Sequence, residues 1–154
     1  MNILEFVPQR VKTSWPGILM GGLSFVAFGC ESSKGRTPTA CEKTPILGGE
    51  IVGLSKDSSL HGLVFRKKNG AVRKDEQVKI VWRMTGRGNL KVTSLRPDGS
   101  TGELAFGPEP HLSSSFARPG DEWGTGFKFD QIGCWHLKLD RAEGHGDVWV
   151  LVEQ

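Results

Sequence analysis

Apolar and polar residues alternate in short runs along the second half of this chain, and turn residues separate the runs. Between residues 78 and 84 every second residue is large and apolar, namely Val78, Ile80, Trp82 and Met84. The alternation recurs at 126–129 and 134–139, and residues 148–152 are apolar throughout. A period of two residues is that of a half-buried β-strand, whereas no stretch shows a sustained helical period. The chain is therefore predicted to be all-β.

The turn residues predict how these strands connect. Thr85–Gly88 lies between the strand at 78–84 and a second at 89–95, which indicates a hairpin. The glycine-rich stretch 143–146 is expected to pair the last two strands, and the uniformly apolar last strand is expected to lie centrally with both faces covered. Weaker strands are expected at 46–54, 61–66 and 71–73. About seven short strands in roughly 110 residues indicate a β-sandwich.

The first thirty residues have the organisation of an export signal. Arg10 and Lys12 precede an uncharged apolar run, residues 15–29, which ends at Cys30. A positive start, an apolar centre of about 14 residues and small residues before a cleavage point are typical of secretory signals. We therefore expect a signal segment at 1–29, a polar tether at 30–44 and one folded domain at 45–154, outside the cytoplasm.

The end of the signal segment allows more than one processing route. Ala27 and Gly29 fit the small-x-small rule of an ordinary signal peptidase, which would release a secreted protein. Gly29 and Cys30 also resemble the last two positions of a bacterial lipoprotein signal, which implies acylation of Cys30 and a membrane anchor. A transmembrane anchor is the third alternative, although the apolar run is shorter than the ~20 residues that span a bilayer. The polar tether favours the lipid-anchored form.

The three cysteines support an oxidising compartment. If Cys30 carries lipid, Cys41 and Cys134 remain as a pair and are expected to form a disulfide, the alternative being two unrelated buried thiols. Such a bond would close a loop of about 93 residues and stabilise the domain by roughly 3 to 5 kcal/mol.

Charge and composition limit the partners. Removal of the first thirty residues takes away Arg10, Lys12 and Glu5, so the formal charge falls from +3 to about +2. The basic residues are scattered, which argues against a nucleic-acid partner. The chain contains 21 glycines and 8 prolines, a turn-rich composition below the disordered range.

The stretch Asp130–Trp135 resembles the corner that precedes the penultimate strand of immunoglobulin-like domains. The resemblance implies an immunoglobulin-like sandwich in which the indole N–H of Trp135 reaches a backbone carbonyl. Because Cys134 precedes this aromatic residue, it should face away from the core. A bond to Cys41 would then lie on the outer face or at an edge of the sandwich.

A wider resemblance covers residues about 78 to 152. The segments 79–86, 107–111, 118–126, 133–135 and 146–152 look like a family of small secreted or lipid-anchored bacterial proteins with no assigned activity. The resemblance implies fold and compartment and carries over no catalytic residue.

A candidate binding loop lies between Gly107 and Gly126, where no strand pattern is visible. Loops of this length are usually functional or flexible. Its candidate residues are Glu109, His111, Asp121, Glu122 and Trp123. In a binding loop, His111 and Trp123 would stack on or hydrogen-bond a ligand, and the carboxylates would accept hydrogen bonds. In a structural loop, Trp123 would cap one end of the sandwich, and the carboxylates would be solvated or pair with Arg118.

No residue pattern indicates catalysis, so we expect a non-enzymatic protein without a cofactor. Asp121 and Glu122 are adjacent and would point apart in an extended segment, and no nucleophile or phosphate-loop motif is present. No metal spacing is evident, although His145 with Asp147, or His136 beside Cys134, could meet in space. The leading hypothesis is a lipid-anchored binding or structural module of the cell envelope, which meets a protein partner through its end loops or exposed tryptophans. A small-ligand or metal carrier is the alternative, and an enzyme is the third.

Overall fold

The computed structural model describes residues 41–66, 70–112 and 114–154; the signal segment, Cys30 and the tether as far as residue 40 lie outside them. Every regular element in the described ranges is a β-strand, and no helix there is long and apolar enough to cross a membrane. The strands are β1 (Ile46–Leu47), β2 (Glu50–Val52), β3 (Leu54–Ser55), β4 (Leu60–Phe65), β5 (Val72–Arg73), β6 (Gln77–Met84), β7 (Lys91–Leu95), β8 (Thr101–Gly102), β9 (Leu104–Pro110), β10 (Asp121–Lys128), β11 (Gly133–Arg141) and β12 (Gly144–Glu153).

The strands form two sheets that pack face to face. Sheet A has the order β1-β2-β4-β6-β10-β9, and sheet B has the order β3-β12-β11-β7-β8, with β5 parallel to the end of β12. The strands of five residues or more are β4, β6, β10 and β9 in sheet A and β12, β11 and β7 in sheet B. Numbered one to seven in chain order, these longer strands are arranged 1-2-5-4 in sheet A and 7-6-3 in sheet B. Constant-type immunoglobulin domains have the same arrangement. The prediction of an immunoglobulin-like sandwich with about seven strands is confirmed.

The core lies between the two sheets and follows the alternation in the sequence. The four alternating apolar residues of β6 are at most 1% exposed, and β10 places Trp123 opposite Trp82. From sheet B, Trp135, Leu137 and Leu139 are equally buried. Each such side chain contributes roughly 1.5–3 kcal/mol by leaving water, so this interface holds the sandwich together.

One of the two expected hairpins differs from the structure, and the other is present with a shifted turn. β6 and β7 lie in different sheets, so the hairpin expected between residues 78–84 and 89–95 is wrong. Residues 85–90 instead cross from sheet A to sheet B, because turn residues reverse a chain equally well within one sheet or between two. The hairpin of the last two strands is confirmed. Its turn falls at Ala142–Glu143, just before the glycines, since Arg141 pairs with Gly144.

The last strand is central but not covered on both faces. β12 pairs with β11 along one edge, and β3, Thr44 and β5 follow one another along the other. Trp149 and Leu151 point outward and are only half-buried. The strand is therefore less buried than its apolar sequence predicted.

The predicted disulfide between Cys41 and Cys134 is present, with a Cα–Cα distance of 5.4 Å. Because Trp135 points into the core, Cys134 points outward, as expected. The indole N–H of Trp135 donates a hydrogen bond of 2.9 Å to the carbonyl oxygen of Gln131. Next to it, Arg96 forms an ion pair of 2.9 Å with Asp130. These contacts fix both the start of the described chain and the entry into β11.

Candidate functional site

Half of the expected 107–126 loop is β-structure. β9 continues to Pro110 and β10 begins at Asp121, so the connection is confined to residues 111–120. Glycines and prolines hide the strand pattern here, because glycine has no side chain and proline is depleted in strands, so neither contributes to the usual alternation. Glu109 lies opposite Gly124, and it is the one candidate residue that lies outside the pocket described below.

Asp121 and Glu122 point to opposite sides of β10, as their adjacency predicted. Glu122 faces outward and lies opposite Arg83 of β6, whereas Asp121 faces the end of the core and lies opposite Met84. The two carboxylates therefore belong to two separate sets of contacts.

Glu122 is 7% exposed and accepts hydrogen bonds from three side chains. Nε of Arg83 lies 2.8 Å from its carboxylate, and Nδ1 of His111 and the hydroxyl of Ser114 also bind it. Burial raises the pKa of Glu122, but the hydrogen bonds from Ser114 and His111 and the charge of Arg83 outweigh burial and hold the pKa below its ordinary value of 4.5. The buried carboxylate is thus ionised and held in place at neutral pH.

Asp121 pairs with Arg141, the last inward-facing residue of β11. The guanidinium of Arg141 lies 2.6 Å from the Asp121 carboxylate and 4.4 Å from the centre of the Trp123 ring. It also donates to the carbonyl oxygens of Met84, at 2.8 Å, and Gly88, at 2.9 and 2.6 Å. Arg141 therefore joins the ends of both sheets to the connection between them.

Trp123 does not form the stacking surface that the binding-loop interpretation expected. It is 4% exposed, since it lies on the inward face of β10 opposite Trp82 and beneath Arg141. Of the two carboxylates in the structural interpretation, Asp121 is largely solvated, with its side chain 69% exposed, whereas Glu122 is buried and pairs with Arg83 rather than Arg118. Trp123 contributes to this site as its floor.

An open pocket of about 540 Å³ lies at this end of the sandwich. Four of the five candidate residues line it, joined by two arginines that the sequence analysis did not select. Its lining is Arg83, Gly88, Asn89, Pro110, His111, Leu112, Gly120, Asp121, Glu122, Trp123 and Arg141. The outward position of Arg83 was visible in the alternation of β6. Arg141 is the next inward-facing position of β11 after residues 135, 137 and 139. A charged residue at such a position indicates a buried partner.

Residues 114–120, which we call the crossing segment, pass over the outward face of sheet A. Ser114 binds Glu122 on β10, whereas Arg118 binds Glu50 on β2, with Nε 2.6 Å from the Glu50 carboxylate. β6 and β4 lie between those two strands, a span of about 14 Å at ~4.8 Å per strand. Val81 of β6 points outward and is nevertheless 2% exposed, consistent with a covered face.

Glu50 also accepts a hydrogen bond of 3.1 Å from Nδ1 of His61. The hydrogen bond from Arg118, opposed by partial burial and reinforced by His61, lowers the pKa of Glu50 below 4.5. The same pair raises the pKa of Arg118. Glu50 and Glu122 thus each bind one arginine and one histidine, at the two sides of the crossing segment, and Glu122 also binds Ser114.

The other two histidines lie on sheet B and each pairs with a carboxylate. His136 lies 2.6 Å from Asp147 and stacks on Trp149, and His145 lies 2.7 Å from Asp140. His145 therefore pairs with a different residue from the Asp147 considered as its metal partner, and Cys134 beside His136 is in the disulfide. Over the described ranges, no three His, Cys, Asp or Glu side chains gather as metal ligands.

Comparisons of the chain with protein-family models, curated proteins and solved structures found no match.

Proposed function

We propose that this protein is an exported, lipid-anchored module of the cell envelope that binds a partner through the pocket between Arg83, His111 and Asp121. The signal-like first thirty residues support export, and Cys30 supports the lipid anchor. The Cys41–Cys134 disulfide supports an oxidising compartment outside the cytoplasm. The resemblance to small bacterial secreted and lipid-anchored proteins agrees with this proposal.

The observation that carries the proposal is the position of the pocket. The disulfide ties the start of the described chain to the first residues of β11, and Arg141, at the last residue of β11, lines the pocket. Cys134 and Arg141 are separated by about 23 Å at ~3.3 Å per strand residue. The pocket therefore lies at the end of the sandwich that is remote from Cys41. A module held by a tether that ends at Cys41 would present this end to a partner.

Binding is a better account of this pocket than catalysis. Arg83 and His111 bind Glu122, and Arg141 binds Asp121 and two carbonyl groups. Groups that hold one another in this way form a rigid surface with exposed polar atoms at its rim. Such a preorganised polar rim around an apolar floor favours recognition of a partner.

The proposal is tested with two exposed leucines in the full-length protein in its native envelope. Leu112 lines the pocket and is 85% exposed, whereas Leu54 is 66% exposed and lies on β3 at the edge of sheet B. We expect that cross-linking and affinity capture recover a partner with the wild type and with Leu54→Glu, and that Leu112→Glu loses it. Equal capture by both variants, or no specific partner, would contradict binding at this pocket. Mass spectrometry of the mature amino terminus tests the anchor, which an unacylated Cys30 would exclude.

Native mass spectrometry of the protein purified from its own host tests the alternative function, a carrier of a small ligand or a metal ion. A small molecule or metal ion that remains bound, and that is lost in Leu112→Glu, would replace the protein partner in this proposal.

A further inference from the structure

We propose that the crossing segment, residues 114–120, is a releasable cover over Glu122 and Arg83 at the edge of the pocket, and that the Arg118–Glu50 ion pair is its clasp. This inference rests on the proposed function, because Gly120 and the Ser114 partner Glu122 both line the same pocket. The cover would regulate binding at that site.

The two ends of the cover are attached differently. At the Gly120 end, the carbonyl oxygen accepts a hydrogen bond of 3.0 Å from Arg83. The backbone of Gly120 also lies so close to β6 that a Cβ atom there would come within 2.2 Å of the Met84 carbonyl. This end is fixed by backbone packing and serves as the hinge.

The remainder is held mainly by side chains. Ser114 binds Glu122, and Arg118 binds Glu50 through both Nε and Nη2. The backbone N–H of Arg118 bonds within the segment, to the carbonyl oxygen of Phe116, and the Arg118 guanidinium lies 5.6 Å from the Phe116 ring. Side-chain contacts can break without loss of a sheet ladder, so the cover can move while the sandwich stays folded.

The clasp is the most accessible of these contacts. The side chains of Arg118 and Glu50 are 41% and 20% exposed, whereas the Glu122 side chain is 3% exposed. Glu50 retains a second partner in His61 on β4, so release of Arg118 does not leave an unpaired carboxylate. Opening at the clasp is therefore the least costly movement of the segment. It would separate Ser114 from Glu122 and uncover that carboxylate and Arg83 at the pocket.

Hydrogen exchange of the intact domain, read as protection factors, tests the cover independently of any ligand. Arg118→Gln removes the clasp. Arg87→Gln is the matched control, because Arg87 forms an exposed pair with Glu143 on the β11–β12 turn, at 2.9 Å. We expect Arg118→Gln to lower protection in the described residues 114–119 by about two- to fivefold, the range of an exposed ion pair, and to leave β6 and β10 unchanged. Arg87→Gln should leave 114–119 unchanged.

A chemical probe follows access to the pocket. Diethyl pyrocarbonate modifies accessible histidines, and His136 and His145 on sheet B serve as internal standards. Modification of His111 relative to these two should rise in Arg118→Gln by a similar factor. Unchanged protection and unchanged His111 modification would overturn the cover while leaving the Leu112→Glu test of the proposed function unaffected. A uniform loss of protection across both sheets would also overturn it, because Arg118 would then stabilise the whole fold.

Discussion

Replacement of Arg141 by methionine should strongly destabilise the domain. The side chain of Arg141 is 2% exposed and it donates to the Met84 and Gly88 carbonyl groups as well as to Asp121. Methionine fills a similar volume and keeps contact with the Trp123 ring, so the loss is confined to polar interactions. The comparison therefore isolates the buried guanidinium.

The magnitude follows from what each partner loses. The carbonyl oxygen of Met84, a fully buried residue, would lose its Arg141 partner, which costs about 1–3 kcal/mol. Gly88 is exposed, so water replaces its hydrogen bonds at a loss of about 0.5–1 kcal/mol. Loss of the cation over the Trp123 ring adds about 0.5–1 kcal/mol. The sum is about 2–5 kcal/mol, a large fraction of the ~5–15 kcal/mol that stabilises a typical domain.

Urea unfolding followed by tryptophan fluorescence measures this loss. With an m-value of about 2 kcal/mol/M, the midpoint for Arg141→Met should fall by about 1–2.5 M. Asp121→Asn is the control, because the Asp121 side chain is 69% exposed and its removal leaves the carbonyl hydrogen bonds intact. It should cost less than about 1 kcal/mol. Two results would refute the reasoning. One is the same urea midpoint for both variants. The other is a free energy of unfolding for Arg141→Met within about 0.5 kcal/mol of the wild-type value, which is the effect of an ordinary surface substitution.

Three further predictions concern other parts of the fold. Gly120→Ala should lower the free energy of unfolding measured in urea by about 2–4 kcal/mol, because a Cβ atom would clash with the Met84 carbonyl. Gly99 also has a positive φ, of 86°, but it has open space around it, so Gly99→Ala should lose only about 1 kcal/mol. Equal losses would contradict the clash. Cys41→Ser/Cys134→Ser should lose about 3–5 kcal/mol for a loop of 93 residues, and an unchanged melting temperature on reduction of the wild type would refute it. Stability should fall on acidification: Glu50 and Glu122 have lowered pKa values, so their contribution is complete above pH 4.5 and is lost as pH falls through their folded values. Urea midpoints from pH 7 to 3 measure this loss, and a midpoint that rises below pH 4.5 would reverse the sign.

Sequence reasoning recovered most of the strands and the last hairpin but placed the connection after β6 in the wrong sheet. The alternation at 78–84 and 134–139 depends on local burial, so it predicted which residues face the core. The pairing of β6 depends on long-range contacts, and a turn at 85–88 serves a hairpin or a crossing between sheets equally well. The end of β9 and the start of β10 were missed for a different reason. They contain Gly107, Pro108, Gly124 and Gly126, which do not contribute to an alternation of apolar and polar side chains.

Four of the five candidate residues lie together at one pocket, but sequence reasoning did not predict their individual contacts. His111, Asp121, Glu122 and Trp123 do line one pocket, yet Trp123 is a core residue and the two arginines of the pocket come from other strands. A charged side chain in a strand pattern shows that a partner is needed without showing which one. The partner depends on the register that places Glu122 opposite Arg83.

The sequence by itself determined the all-β class, the inward faces of the main strands and the pairing of Cys41 with Cys134. These follow from short-range periodicity and from counting cysteines, which need no knowledge of neighbours in space. Only the tertiary structure decided which strands share a sheet and that Arg118 reaches Glu50 across two strands. It also placed Arg141 beneath Asp121 at the end remote from Cys41. Such contacts join residues far apart in the chain, and the geometry of sheet packing brings them together.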